Sequence, residues 1–551
     1  MPEYPETLVN LGQTPRRPFV KSNFLDCITR KLKITGKYDE KSTRSSDSGS
    51  SDGTIVTLEI LKAEIEADLS AFGVNSAYDR KSKVINRALN DMGMGKYQWQ
   101  LFTLCGMGWM ADNLWLQGVA ITLPQLSAEF GVSETNVRFT TLALFVGLCL
   151  GASFWGIAAD VIGRRPAFNF TLAIAGIFGL AAGGAPNWIG VCGLFACVGL
   201  GIGGNFPVDG ALFLEFLPHD SSGLLTALSA WWPVGQFISS ILAWAFIPNY
   251  PVKWGWRYTV LSLGAITFAM FVCRFFFFHL FESPKFLLSR GRQTEAVAVI
   301  RGIAHHNETQ TWLTEEILNA IGGDPEVVGA QALNTSEIVK RNLSKFSTKR
   351  IGPLFHGWRL TTTTCLLWFI WATIGMGYPL FNAFLPQYLA NAGGEQENSV
   401  NNIYRDYAIT SAVGIPGSLC ALYTVNWRYI GRKGTMAIST VIAGIFIFLF
   451  TVSSNNKFQL AFTSLEAFWQ NIMYGVLYAY TPEVFPAPNR GTGTGISSFL
   501  NRVAGLCAPL VAIYAGEANP KAPIYASGGL MLAAFVAMLC LPIETRGRHA
   551  L

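Results

Sequence analysis

The amino-acid sequence predicts an all-α membrane protein with twelve transmembrane helices in two six-helix parallel repeats. Three observations carry that prediction. Half of the 551 residues are hydrophobic and 14% are charged, a balance that a soluble globule of this length rarely shows. Between about Tyr97 and Leu541 the apolar residues gather into stretches of roughly 20 to 25, each able to cross a ~30 Å hydrocarbon layer as a helix. Short motifs recur in the two halves of the chain at one offset of 268 positions.

The predicted spans centre near Trp109, Leu148, Gly176, Gly201, Ser239, Met270, Gly375, Gly414, Ile445, Asn471, Leu506 and Ala533. They divide the chain into a cytosolic tail (1–96), a first bundle (97–281), a cytosolic linker (282–358), a second bundle (359–543) and a short cytosolic C-terminus (544–551). The tail opens on polar residues rather than a charged head and apolar core, so no cleavable signal peptide is expected. Its run STRSSDSGSSDGT is too polar to fold. Beyond it, Ile55, Leu58, Leu61, Ile65, Leu69 and Phe72 recur at helical spacing and predict an amphipathic helix.

Most of the 41 Lys and Arg residues fall in the tail, the even-numbered loops and the C-terminal end. By the positive-inside rule both termini are then cytosolic. The net charge of +6 reflects topology and not a nucleic-acid partner. Ten scattered cysteines show neither disulfide nor zinc spacing, and no metal or cofactor is expected. Asn-x-Ser/Thr matches at Asn307, Asn334 and Asn342 lie in the linker, on the wrong side for glycosylation.

The shared offset is specific. DVIGRRPA, around Gly163, Arg164 and Arg165, is echoed by RYIGRKGT at Gly431, Arg432 and Lys433; EFLP at Glu215 is echoed by EVFP at Glu483. GIAADVIGRRPA fits the loop signature G-x-x-x-D-x-x-G-R-R at Gly156, Asp160, Gly163, Arg164 and Arg165, and in this it resembles the major facilitator transporters. FESPKFLLSRGRQTEA, PEVFP with RGTG, and LPIETRGR are similar to the cytosolic motifs of their sugar-porter-like branch. The resemblance implies parallel six-span halves with a solute between them. It also implies gating or fold salt bridges at Asp160, Arg164, Arg165, Glu215, Arg432, Glu483 and Glu544. The second repeat departs at Arg428, which stands where the first has Asp160.

A closer resemblance begins before the first span. INRALNDMGMGKYQWQLFTLCGMGWMADNLWLQ is similar to the lead-in of the synaptic-vesicle-protein-related branch, and GLGIGGNFPVDGALFLEFLP resembles that branch's fungal relatives. Several members of this neighbourhood carry organic acids or organic ions. Hexose specificity is not implied: sugar porters place Arg before the glycine run of span 4, where this chain has Phe195, and their Gln-rich span 7 motif is missing from WATIGMGYPLFNAFLPQYL.

Asp112 stands about halfway along span 1, where an ionised, unpaired carboxylate costs several kcal/mol. It becomes tolerable by taking up a proton, which makes it the proton-coupling candidate. Trp109 and Trp115 flank it at i−3 and i+3 and predict an aromatic wall. Arg502, well inside span 11, is a counter-ion for an anionic solute or a partner for Glu466. Arg274, nearer the end of span 6, is expected to snorkel to the surface. Asp209 follows Pro207, where a helix bends, and is a gating candidate or a second coupling acid. Further solute-binding candidates are Trp231, Trp232, Gln236, Tyr378, Asn382 and Asn471.

No nucleotide-binding loop is present to drive transport. One proton entering through ~100 mV gains about 2.3 kcal/mol, and each pH unit adds about 1.4 kcal/mol. With roughly one to two pH units this sustains about a thousandfold accumulation of a neutral solute. The expectation is a monomeric secondary transporter of a small organic acid or related metabolite, proton-coupled, in the plasma membrane or else a vacuolar or other endomembrane. Efflux of a secondary metabolite or drug, sugar/proton symport, and a transport-inactive nutrient sensor are the alternatives. No His/Asp or Cys/His constellation at a membrane face points to an enzyme.

Overall fold

The computed structural model describes residues 77–218, 224–323, 351–392, 399–424, 430–453, 455–485 and 490–545, together with residues 59, 61–63, 65 and 66. The linker's asparagines Asn334 and Asn342, together with Arg428, lie outside them. So do Ile55, Leu58, Leu69 and Phe72 of the expected amphipathic helix, whereas Leu61 and Ile65 are helical and buried.

Twelve long helical segments are described: α1 Lys96–Phe130, α2 Phe139–Ile162, α3 Arg164–Gly183, α4 in two pieces (Trp188–Ile202 and Asn205–Phe216), α5 Trp231–Phe246, α6 Val252–Val272, α7 Trp358–Asn382, α8 Val400–Thr424, α9 Gly431–Val452, α10 Asn456–Val484, α11 Arg490–Ala518 and α12 Ala522–Leu539. Every predicted centre falls inside one of them. Eight are long and apolar enough to cross a membrane by length and composition; α1, α5, α8 and α10 are not among these. α5, at 16 residues, falls short in length, whereas α1, α8 and α10 carry the buried polar groups Asp112, Ser411 and Glu466, which lower their apolarity.

Contacts split the chain into two compact units. The larger comprises Leu101–Phe213, Leu224–Leu280 and Thr335–Leu551. Within it the repeat is visible in the packing: α2 lies on α4 as α8 lies on α10, and α3 lies on α6 as α9 lies on α12. The halves meet along α2 with α11 and α5 with α8. A two-fold relation between halves carries the first of these seams onto the second.

The sequence explains these contacts locally. Gly163 and Gly431 hold φ of 111° and 67°, a turn only glycine adopts freely; α3 thereby starts directly behind α2, and α9 opens on the equivalent glycine. Glu544 then accepts the backbone N–H groups of Arg432 (3.1 Å) and Lys433 (3.1 Å) at the start of α9, where a carboxylate satisfies orphan donors of a helix N-terminus. On the α2–α4 seam, Cβ atoms at Gly147, Gly151, Gly199 or Gly203 would overlap the backbone of the facing helix. That is how small residues let membrane helices approach. α4 breaks at Gly203–Gly204, ahead of Pro207.

One buried ion pair ties the first half together. Arg274 lies in a π-helical turn, Cys273–Phe277, whose Phe275, Phe276 and Phe277 face outward while the arginine points in. It pairs with Asp209 at 2.7 Å, donates to the carbonyls of Leu104 (2.7 Å) and Phe168 (2.9 Å), and lies over the Phe168 ring. Arg274 therefore does not snorkel: it is 1% exposed, because Asp209 meets it at the same depth. A Cβ at Gly108 would overlap both the Asp209 carboxylate and the Arg274 guanidinium. Gly108→Ala is expected to cost about 1–3 kcal/mol by overpacking, read as a lower unfolding midpoint of the detergent-solubilised protein.

The smaller unit comprises Met1–Gln100, Leu214–Gly223 and Phe281–Asn334. Its longer described helices, Ala77–Met92, Gln293–His306 and Glu315–Gly322, carry apolar faces that bury Val84, Ile85, Leu89, Ile300, Ile303 and Leu318. The lead-in motif MGMGKYQW is the docking surface for Asn307, whose side chain accepts the Tyr97 N–H (2.9 Å) and donates to Gln98 (2.9 Å). Tyr97 packs against Phe216, Phe281 and His306. Asn307→Ala breaks this dock, with an expected loss of about 1–3 kcal/mol, measurable as faster proteolysis within the linker. Glu215 of EFLP lies near Lys285 of FESPKF; burial pushes the Lys285 ammonium down from its ordinary value and the Glu215 charge opposes that shift.

Candidate functional site

The site is built within the larger unit, where the two halves face one another. Asp112, on α1, is 8% exposed. Its carboxylate accepts a 2.9 Å hydrogen bond from Asn205, which also donates to the Gly108 carbonyl at 3.2 Å. The glycine break in α4 sets Asn205 at the start of the second helical piece, level with the acid. No cation forms an ion pair with Asp112 among the described residues. Arg502, from α11 of the other half, comes close enough to act on it electrostatically, as do Asp209 and Arg274 from its own half.

Arg502 is half-buried, and among the described residues its guanidinium has no hydrogen-bond or ion-pair partner. It also acts electrostatically on Tyr478. Of the roles the sequence offers Arg502, counter-ion to an anionic solute, partner of Glu466, or both, the pairing with Glu466 is not made in this structure. The two form no ion pair among the described residues, and Arg502 acts electrostatically on Asp112. Asn113, Trp232, Gln236, Tyr378, Asn382, Tyr474, Tyr478 and Arg502 are each partly exposed.

An aromatic row lines this region. Trp109 stacks on Trp232 with ring centroids 4.9 Å apart and 12° between planes. Tyr478 packs edge-on against Trp232 and Trp371, each at 4.7 Å. The row continues through Tyr474, 6.4 Å from Tyr478, to Tyr378, 5.7 Å further. Gln236 bridges the halves by donating to Asn113 (3.0 Å) and to the Tyr378 hydroxyl (2.7 Å).

Trp115 does not share this wall. Residues at i−3 and i+3 lie about 120° apart around a helix of 3.6 residues per turn. One therefore faces the other half while its counterpart turns into its own bundle. Trp115 is fully buried there, donating to Thr267 at 2.9 Å and packing near Phe195. Trp231 diverges likewise from its neighbour Trp232 and lies against α1 at Gly106. Asn471 is held by Ser418 (3.3 Å) and the Ala467 carbonyl (2.8 Å). Glu466 is buried in the second half, 3.5 Å from Asn382, which donates also to Gln470 at 3.2 Å.

Of the gating candidates, Asp160 and Arg164 pair at 2.7 Å on consecutive helices, and Arg432 pairs with Glu483 within the second half. Asp209 is committed to Arg274. The ties between halves at the opposite end of the bundle were not foreseen. Arg138 donates to Gln387 (3.0 Å) and to the Ala512 carbonyl, Gln387 donates back to the Glu134 carbonyl (3.1 Å), and Tyr404 donates to the Ile121 carbonyl (3.2 Å). Arg138 is 6% exposed. An arginine on the side of the membrane poor in basic residues was the sequence signal for it; Asn205, an amide in an apolar span, was the signal for the partner of Asp112.

Two parallel six-helix halves facing each other across a buried acid, an unpaired guanidinium and an aromatic row define a multi-pass membrane transporter. The chain belongs to the Major Facilitator Superfamily, whose family model matches residues 101–428 and 407–551. It is 43% identical over 491 residues to MFS siderochrome iron transporter 1 of Ceriporiopsis subvermispora, covering 87% of this chain and 93% of that one. It is 28% identical over 483 residues to the synaptic vesicle 2-related protein of Xenopus laevis, covering 84% and 82%. Its fold matches the xylose transporter XylE from E. coli, in a partially occluded inward open conformation, with a TM-score of 0.62 at 15% identity, over 82% of this chain and 99% of the other.

Proposed function

We propose that this secondary transporter carries a small organic anion by alternating access and couples it to protons through competition for one guanidinium. The reading rests on a single arrangement: Arg502 stands unpaired on one half within electrostatic reach of Asp112 on the other. While Asp112 is ionised, its charge holds Arg502. Once it takes up a proton that hold is released, and the guanidinium is free for a carboxylate, which it grips best in paired hydrogen bonds. The aromatic row from Trp109 to Tyr378 supplies an apolar, largely edge-on aromatic lining for the rest of the solute.

The halves, 97–281 and 359–543, rock about this site. The Arg138–Gln387 tie closes one end, the outer one if both termini are cytosolic, and the plasma membrane is the proposed location. Asp160, Arg164, Arg165, Glu215, Arg432 and Glu483 act as gate and fold contacts. The solute class proposed here rests on Arg502.

The test is uptake by proteoliposomes of a panel of organic acids, amines and sugars, with and without an imposed pH gradient. Gradient-stimulated uptake of acids above the other classes is expected. Movement of no panel member would favour a transport-inactive sensor, and acceleration of sugars alone would remove the anion reading.

A further inference from the structure

The second half holds a carboxylate that the coupling scheme leaves idle. Glu466 is 1% exposed. Its Oε1 lies at the long limit of a hydrogen bond from Asn382, 3.5 Å, and its Oε2 has no partner. The neighbouring Gln470 also has an unpartnered amide nitrogen. No cation pairs with Glu466 among the described residues, yet three tyrosines, Tyr378, Tyr407 and Tyr474, lie close enough to feel its charge.

A carboxylate buried without a counter-charge is costly, and a solute cation would remove that cost. The surrounding rings add to the attraction, because a cation against aromatic faces gains from their quadrupoles. Glu466, Gln470, Tyr474 and Tyr478 recur at every fourth position of α10 and so descend along one side of the helix. That stripe leads from the idle acid to Tyr478, which Arg502 reaches. Two poles of opposite sign thus stand at the ends of a row of tyrosine rings, with centroid steps of 6.4 and 5.7 Å.

We infer that the solute is an elongated, flat aromatic acid bearing a protonated nitrogen at the end away from its carboxylate, and that Glu466 receives that nitrogen. This rests on the anion reading of Arg502 and narrows it. The test compares biphenyl-4-carboxylate with 4'-(aminomethyl)biphenyl-4-carboxylate, long enough to reach along the tyrosine row, by calorimetric titration of the full chain in nanodiscs, in the native protein and in Glu466→Gln, Glu466→Asp and Arg502→Ala.

The native protein is expected to bind the amine-bearing acid about tenfold more tightly or better. That preference is expected to vanish in Glu466→Gln and to return in part in Glu466→Asp. A preference that survives Glu466→Gln, an equal loss for both ligands in that variant, no preference in the native protein, or no binding of either compound would each overturn the inference. Arg502→Ala separates the two ideas: if it weakens both ligands while Glu466→Gln changes no ratio, the anion reading stands and the second pole falls.

Discussion

Asp112→Asn is expected to abolish uphill transport while leaving downhill exchange in place. The amide keeps the size of the side chain and a hydrogen-bond link to Asn205, but it neither binds nor releases a proton. Arg502 then loses its competitor and stays open to the solute at every pH. For a monoanion carried with one proton the pair is electrically neutral, so only the pH gradient does work, about 1.4 kcal/mol or tenfold accumulation per pH unit. In liposomes with a one-unit gradient, accumulation is expected to fall from about tenfold to none, with counterflow of labelled solute retained. For a solute of zero net charge the membrane potential adds about 2.3 kcal/mol per 100 mV, and the loss is correspondingly larger. Accumulation unchanged in Asp112→Asn would remove the acid from the coupling step.

Arg502→Ala is expected to weaken binding of carboxylates about a hundredfold. Truncating one member of a buried, hydrogen-bonded charge pair costs about 2–5 kcal/mol, and the solute carboxylate would be left in a poorly solvated site. Arg502→Lys restores the charge but not the planar fork and is expected to recover part of the loss. Neutral analogues should be affected far less. Equal losses for neutral and anionic compounds, accompanied by a lower unfolding midpoint, would assign Arg502 to the seam between α2 and α11, where its backbone carbonyl already accepts a 3.4 Å contact from Cys149.

The helical frame was legible in the sequence because a bilayer imposes one length on every span, and the repeated glycines at Gly163 and Gly431 marked how the spans turn. Asp112 stood out for the same reason, as an acid where lipid tolerates none unassisted. Its neighbours were harder to read. Trp109 and Trp115 look equivalent around it in sequence, and only the pitch of a real helix sends one to the seam and the other into the bundle. Arg274 was misjudged because depth along one helix says nothing about an opposite charge, Asp209, placed level with it by another. Arg502 was visible as a buried cation, but the identity of the group it faces depends on the crossing of α1 and α11, which no local pattern encodes.

The competition between Asp112 and the solute for Arg502 is tested most directly by counting protons during binding. Purified protein in weakly buffered solution, titrated with a carboxylate that it binds, is predicted to take up close to one proton per solute. Asp112→Asn is predicted to take up none while still binding. Tight binding by the native protein with no proton uptake at any pH between about 5 and 8 would contradict the account.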